Sequence, residues 1–267
     1  MQKIKVNHEV PRSLLSSSYK FNDYDFCLPH LLDQDEEYLQ HFLDAKRKGR
    51  YIIMDNSLHE LGEAYDHERL LYWINEIKPN EFIVPDVWED IVGSIENADT
   101  WSEYEFPEGV EKVAVVQAKS LHEAIECTRA YKRLGYKKIA YSYGASYYND
   151  VCPHPNKDLG KALGRIFIIS TLHNQGFLTD DDRVHLLGCS VPQEFGWYDN
   201  DPRIESIDTS NPIMAALDGT QYNSNGLNYK PNANMNDFFD IKFEEIQYFD
   251  ILYNTHKFRE INNLKIR

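Results

Sequence analysis

Six short apolar runs in this chain each end in a polar residue or a glycine, and that repetition constrains its fold more than any other feature. They are Tyr51-Ile-Ile-Met-Asp55-Asn56-Ser57, Phe82-Ile-Val-Pro-Asp86, Val113-Ala-Val-Val-Gln117, Ile139-Ala-Tyr-Ser-Tyr-Gly144, Val184-His-Leu-Leu-Gly188 and Ile204-Glu-Ser-Ile-Asp208-Thr209. Runs of apolar and β-branched residues this short are the pattern of strands buried on both faces. In a parallel barrel the C-terminal ends of all strands converge on one face, and polar residues there read as catalytic. Six such endings predict one site built from six strands.

The segments between the runs carry the helical period. Helices are expected over 35–48, 66–77, 90–103, 120–134 and 157–174, with a short one near Pro212. Asp66 opens one of them and Pro79 follows its end, Ser120 with Glu123 has the spacing of a capping box, and Gly135 stops the helix before it. Strands alternating with helices of this length specify a parallel sheet. The expected fold is therefore a single α/β domain, a (β/α)8 TIM barrel. Its first strand falls at 25–28 and its core spans about 24–217. Seven strands are legible, and an irregular eighth is expected in 218–243, where Gly219, Asn223, Asn225, Gly226, Asn228 and Pro231 mark a loop-rich stretch up to about residue 240. A closing helix is expected over 241–260.

At 267 residues the chain is long enough to bury a full core. The first residues lack the apolar stretch of a signal peptide, and no segment approaches the ~18 apolar residues of a membrane helix. That reading makes the protein soluble and cytoplasmic, in a host cell's cytoplasm if the chain is phage-encoded. Cys27, Cys127, Cys152 and Cys189 lie far apart with no Cys-x-x-Cys pair, which argues for packed free thiols over a disulfide framework or clustered zinc.

A net charge of −15 suits a nucleic-acid partner poorly, because phosphate contacts need Lys and Arg. The stretch 129–165 runs the other way. It holds Arg129, Lys132, Arg133, Lys137, Lys138, Lys157, Lys161 and Arg165 against Asp150 and Asp158, and reads either as solvated helix faces or as a phosphate-binding flank.

Asp55-Asn-Ser-x-x-Glu60-x-Gly62, Pro85-Asp86, Val116-Gln117, Tyr143-Gly144, His185-Leu-Leu-Gly188 and Asp208-Thr-Ser-x-Pro212 follow one another in the order and spacing of a known family. The chain resembles the tRNA-guanine transglycosylase superfamily over roughly residues 24–217. It is most similar to the short phage-type members that insert 7-deazaguanine bases into DNA. The family's zinc cluster of three Cys and a His is absent, since no Cys follows Cys189, and so is the extra RNA-binding domain of archaeal members.

The resemblance implies a pentosyltransferase that replaces guanine in a polynucleotide, DNA being favoured over tRNA, by a 7-deazaguanine base. It implies no cofactor and no metal. A carboxylate attacking C1′ divides base exchange into two inversions through a covalent glycosyl-enzyme. Asp208 matches the nucleophile, with Thr209 and Ser210 available to hold its carboxylate; its bland alternative is a cap on the following helix. Asp55 matches the general acid/base, with an Asx turn as its alternative.

For the base itself, Asp86 suits the N1–H and 2-amino group of a guanine, because a carboxylate pairs with two adjacent N–H donors. The resemblance adds Gln117, Tyr143, Gly144, Asn56 and Ser57 to the substrate-binding set. Gln117 reads equally as a loop contact, Gly144 as a turn glycine and Tyr143 as a rim aromatic. His59 and His185 read as core or rim histidines. The long loops 143–156 and 218–236 are expected to handle the strand, reached single-stranded or by base flipping, with a partner protein supplying basic surface if the enzyme's own is too small. Two other classes stay open. One is a metal-dependent hydrolase using Asp55, Asp86, His185 and Asp208, and the other is a catalytically silent barrel that binds a purine or a partner.

Overall fold

The computed structural model describes residues 4–199 and 201–266. Eight parallel strands form one sheet in the order β1-β8-β7-β6-β5-β4-β3-β2, with helices returning the chain between most of them: a nearly closed (β/α)8 barrel. The strands are β1 (Lys5–Asn7), β2 (Asp25–Cys27), β3 (Ile52–Met54), β4 (Glu81–Ile83), β5 (Glu111–Val116), β6 (Lys138–Ser142), β7 (Arg183–Leu187) and β8 (Ile204–Asp208). At the β1–β2 seam the Asp23 amide donates to the Val6 carbonyl at 2.8 Å and the Asn7 side-chain amide to the Tyr24 carbonyl at 2.8 Å.

The eighth strand lies elsewhere than expected. Among the described residues 218–243 contain no strand, only an isolated bridge between Asn223 and Gly226 and the short helix Met235–Phe238, anchored by the buried Tyr222, Leu227 and Met235. The missing strand is β1, which pairs with β8 through Lys5↔Ser206, Val6↔Ile207 and Asn7↔Asp208. The barrel core therefore reaches back to Ile4 instead of beginning near residue 24. The closing helix is Tyr248–Ile261, after a 3-10 turn at Phe243–Glu245.

Helix starts follow the local chemistry. Asp35, Asp66, Asp90, Ser120 and Asn156 each accept a backbone N–H from the first turn of Glu36–Arg47, His67–Ile77, Ile91–Ser102, Leu121–Arg133 and Lys157–Asn174. The Glu123 carboxylate turns to the Lys119 amide at 2.6 Å, one residue short of a reciprocal capping box. No helix among the described residues is long and apolar enough to cross a membrane. All four cysteines are free, with Cys27, Cys127 and Cys189 buried.

The barrel interior is layered. At its N-terminal end Lys138 Nζ bonds Glu81 at 2.6 Å and Glu205 at 3.3 Å, while Arg183 bonds Glu81 at 2.9 Å and Glu205 at 2.6 Å. Above this ionic layer sit Ile83, Val113, Val115 and Ala140, packed against Phe26 and Leu187. The basic stretch does not form one surface. Lys138 belongs to the ionic layer, Arg165 is buried against Glu194 at 2.6 Å, Lys132 bonds Asp182 at 2.6 Å and Arg129 bonds Glu126 at 2.8 Å.

Candidate active site

Above the apolar layer the C-terminal mouth of the barrel opens into a cavity of about 450 Å3. The sheet aims its polar residues there by continuing one bond past each strand. The Asp55 amide donates to the Cys27 carbonyl at 2.8 Å, the Thr209 amide to Asn7 at 3.0 Å and the Tyr143 amide to Leu187 at 3.0 Å. Asp55, Asn56, Asp86, Gln117, Tyr143 and Asp208 all reach the cavity wall. Ser57 does not line it; this buried residue bonds His30 Nδ1 at 2.8 Å. Gly144 also lies behind the wall, covered by the Trp88 ring: a Cβ added there would sit 2.6 Å from it.

Asp208 does not cap the helix Asn211–Leu217, whose N-cap is Ser210. Its Oδ1 lies 3.0 Å from His185 Nε2, and His185 Nδ1 lies 2.7 Å from the Ser206 hydroxyl. Pairing of Leu187 with Asp208 and of His185 with Ser206 places this chain of groups across β7 and β8. Thr209 is engaged elsewhere: its hydroxyl accepts from the Asn211 amide at 3.1 Å and contacts Cys189 Sγ at 3.2 Å.

Five carboxylates line the cavity: Glu9, Asp55, Glu60, Asp86 and Asp208. So many negative charges in a shielded space cannot all ionise freely. Burial, followed by the charges of Glu60, Asp208 and Asp86, raises Asp55 well above the usual carboxylate range. Burial raises Glu9 to about 8, assisted by Asp208 and Asp55, and raises Glu60 to about 8, assisted by Glu9. Glu60 Oε2 is buried without a hydrogen-bond partner. The Asp55 side chain also accepts from the Ser57 amide at 3.0 Å, so the Asx turn of Asp-Asn-Ser is present alongside the cavity position.

Asp86 sits in an amide cradle. Asn56 Nδ2 donates to one carboxylate oxygen at 2.5 Å and Gln117 Nε2 to the other at 2.6 Å. The two amides are fixed in turn: Asn56 Oδ1 accepts from the Leu58 amide at 3.0 Å, and Gln117 Oε1 from Glu89 at 3.0 Å. Burial raises Asp86 to about 6, against the opposing pull of these donors, so it is predominantly anionic at neutral pH.

Behind the cavity wall, the buried Arg165 guanidinium donates to the carbonyls of Tyr141 (3.0 Å), Leu187 (2.9 Å) and Gly188 (2.8 Å), pinning the ends of β6 and β7. Gly188 adopts φ +59°, and a Cβ there would meet the Tyr143 ring at 2.4 Å, so the ring lies directly on the strand end. Lys230, from the loop after β8, bonds the Tyr143 hydroxyl and lies 4.7 Å from the centroid of its ring.

Glu9, Trp88 and Lys230 at the cavity, and His185 as the partner of Asp208, were not singled out for these positions in the sequence. Glu9 stands two residues beyond β1, so the strand-end pattern reveals it once β1 is recognised. Lys230 has no local signal, since only the fold brings its loop to the mouth. Among the described residues no group of three or more His, Cys, Asp or Glu is placed to hold a metal ion. Fold and site together define a parallel barrel with an acidic cavity at its C-terminal face. No family model and no curated protein matches this chain.

Proposed function

We propose that this barrel is a base-exchanging transglycosylase, a pentosyltransferase that replaces guanine in a polynucleotide, DNA in preference to tRNA, by a 7-deazaguanine base. The observation that carries the reading is the convergence, on one cavity, of Asp208 held by His185, a buried Asp55 and Asp86 in its amide cradle.

In this mechanism Asp208 attacks C1′ while the C1′–N9 bond breaks and its electrons pass to the departing guanine. Asp55, whose protonated form is favoured by its burial and by the charges of Glu60, Asp208 and Asp86, donates to that base. The result is an ester between C1′ and Asp208. Asp55, now a carboxylate, takes the N9 proton of the incoming base, N9 attacks C1′, and Asp208 is released, so two inversions give overall retention. Asp86 pairs with N1–H and the 2-amino group of either base.

The test is exchange of radiolabelled guanine and of 7-deazaguanine bases into single-stranded DNA, duplex DNA and bulk tRNA, with Asp208→Ala and Asp208→Asn in parallel. Label entering one polymer with the wild type, and with neither variant, supports the reading and names the acceptor. Retained exchange in Asp208→Ala would overturn the nucleophile, and absence of label from every polymer would overturn the function.

A further inference from the structure

Lys230 is out of keeping with its surroundings. Among the described residues it is the one Lys or Arg lining a cavity that carries five carboxylates, yet it makes no salt bridge with any of them. Its ammonium is instead held at Tyr143, bonded to the hydroxyl with the ring centroid 4.7 Å away. The backbone that carries it is docked as well. The Lys230 amide donates to Asp158 at 3.0 Å, and Asn156 Nδ2 to the Asn228 carbonyl at 2.5 Å, which ties this loop to the start of Lys157–Asn174. Tyr143 is fixed in its turn by the close seat its ring takes on Gly188. The side chain is exposed, so its ammonium stands where a ligand arriving from solvent can reach it. A second donor in the same wall, Asn211 Nδ2, is buried and has no acceptor, although the Asn211 carbonyl accepts from Tyr222. The cavity thus presents an exposed ammonium at its rim, whose one protein acceptor is the Tyr143 hydroxyl, and an unpaired amide N–H in its wall, above carboxylates at its centre.

We propose that Lys230 is the phosphate contact of this cavity: the ammonium held at Tyr143 takes a phosphodiester oxygen next to the nucleotide whose base enters the Asp86 cradle. This rests on the base-exchange reading and names how the polynucleotide is held. A single seated cation reconciles a backbone-binding protein with a net charge of −15, because it offers a local contact where the chain as a whole repels the polymer. The same phosphate chemistry is carried by a free nucleotide, so the two sources are separated in the test.

A dye-labelled single-stranded oligodeoxynucleotide with one guanine is titrated by anisotropy over a range of salt. Deoxyguanosine and dGMP are titrated as competitors. Lys230→Ala is expected to weaken the oligonucleotide about tenfold and to lower the slope of log affinity against log salt by about 0.7, with deoxyguanosine unchanged. Lys230→Arg restores most of both, and Tyr143→Phe, which keeps the ring and removes the hydroxyl, falls between. Loss of dGMP affinity alone would transfer the contact to a free nucleotide and overturn the polynucleotide assignment. Unchanged oligonucleotide affinity and slope in Lys230→Ala, or an equal loss for deoxyguanosine, would overturn the proposal while leaving base exchange standing. A wild type that binds no oligonucleotide would remove both.

Discussion

His185 Nε2 lies 3.0 Å from Asp208 Oδ1, while the opposite ring nitrogen lies 2.7 Å from the Ser206 hydroxyl. The imidazole is 1% exposed and stacks on Phe26 with ring centroids 6.2 Å apart, so it has one orientation to offer. In the proposed reaction it is a positioning group: it aims one oxygen of Asp208 and leaves the other for C1′. His185→Ala is expected to lower the rate of base exchange by roughly 10- to 100-fold, the cost of a reacting group freed from its attack geometry. His185→Gln, which can still donate to Asp208, should recover part of it. Trapping of the glycosyl-enzyme measures this directly, since the yield of adduct should fall with the rate.

Glu9 and Glu60 make stability depend on pH in an unusual direction. Each is raised from the ordinary 4.5 to about 8, so between these values the folded protein holds protons that the unfolded chain has released. Stability must therefore fall as pH rises through that window. Glu9→Gln removes one of these charges and is expected to raise Tm at pH 8 by roughly 2–5 °C, with little change at pH 4.5. Thermal melts at the two pH values decide it, and an equal shift at both would contradict the assignment.

Asp86 is expected to set the choice of base. Its oxygens are fixed by Asn56 and Gln117, so the carboxylate reaches a guanine already oriented. Asp86→Ala should reduce kcat/KM for guanine by about 100-fold or more, since the N–H groups it served are left unpaired. Gln117→Leu leaves Asp86 in place with one donor fewer and should raise KM about tenfold with a smaller effect on kcat. Steady-state exchange with guanine as the varied substrate separates the two.

The ionic layer at the far end of the barrel belongs to stability alone. Lys138 and Glu81 are both fully buried, and removing either one leaves the other with its remaining partner alone, Glu205 at 3.3 Å for Lys138 or Arg183 at 2.9 Å for Glu81, in a layer whose charges no longer balance. Lys138→Met or Glu81→Gln is expected to cost about 3 kcal/mol, and the double variant less than the sum, because the balance of buried charge is then restored. Urea unfolding of the four proteins gives the coupling. Exchange activity per folded molecule should be unaffected.

The alternation of strands and helices was legible because buried parallel strands are written as apolar runs, and the helix Lys157–Asn174 has the boundaries read from the sequence. The strand β1 was not, since its three residues of ladder carry only Val6 as an apolar signal, with Ile4 just before them, and Glu9 was lost with it. The strand-end rule marked Asp55, Asp86, Gln117 and Asp208 as cavity residues, and they line it. It also marked Ser57, but the left-handed turn at φ +60° swings that residue inward to His30. Register explains the rest. His185 faces the interior beside Asp208 through strand pairing, and Lys230 arrives from a distant loop, neither of which a local pattern encodes.

The filled interior beneath the cavity has a kinetic meaning. Ile83, Val113, Val115 and Ala140 close the barrel below the carboxylates, and the ion pairs close it again, so nothing traverses the axis. A base released at Asp208 must go out through the mouth by which its replacement comes in. Two bases cannot occupy one cradle, and the first must be gone before the second arrives. Under the proposed function, a barrel with a floor thus obliges base exchange to run as a ping-pong reaction, with the polynucleotide tethered to the protein during the interval.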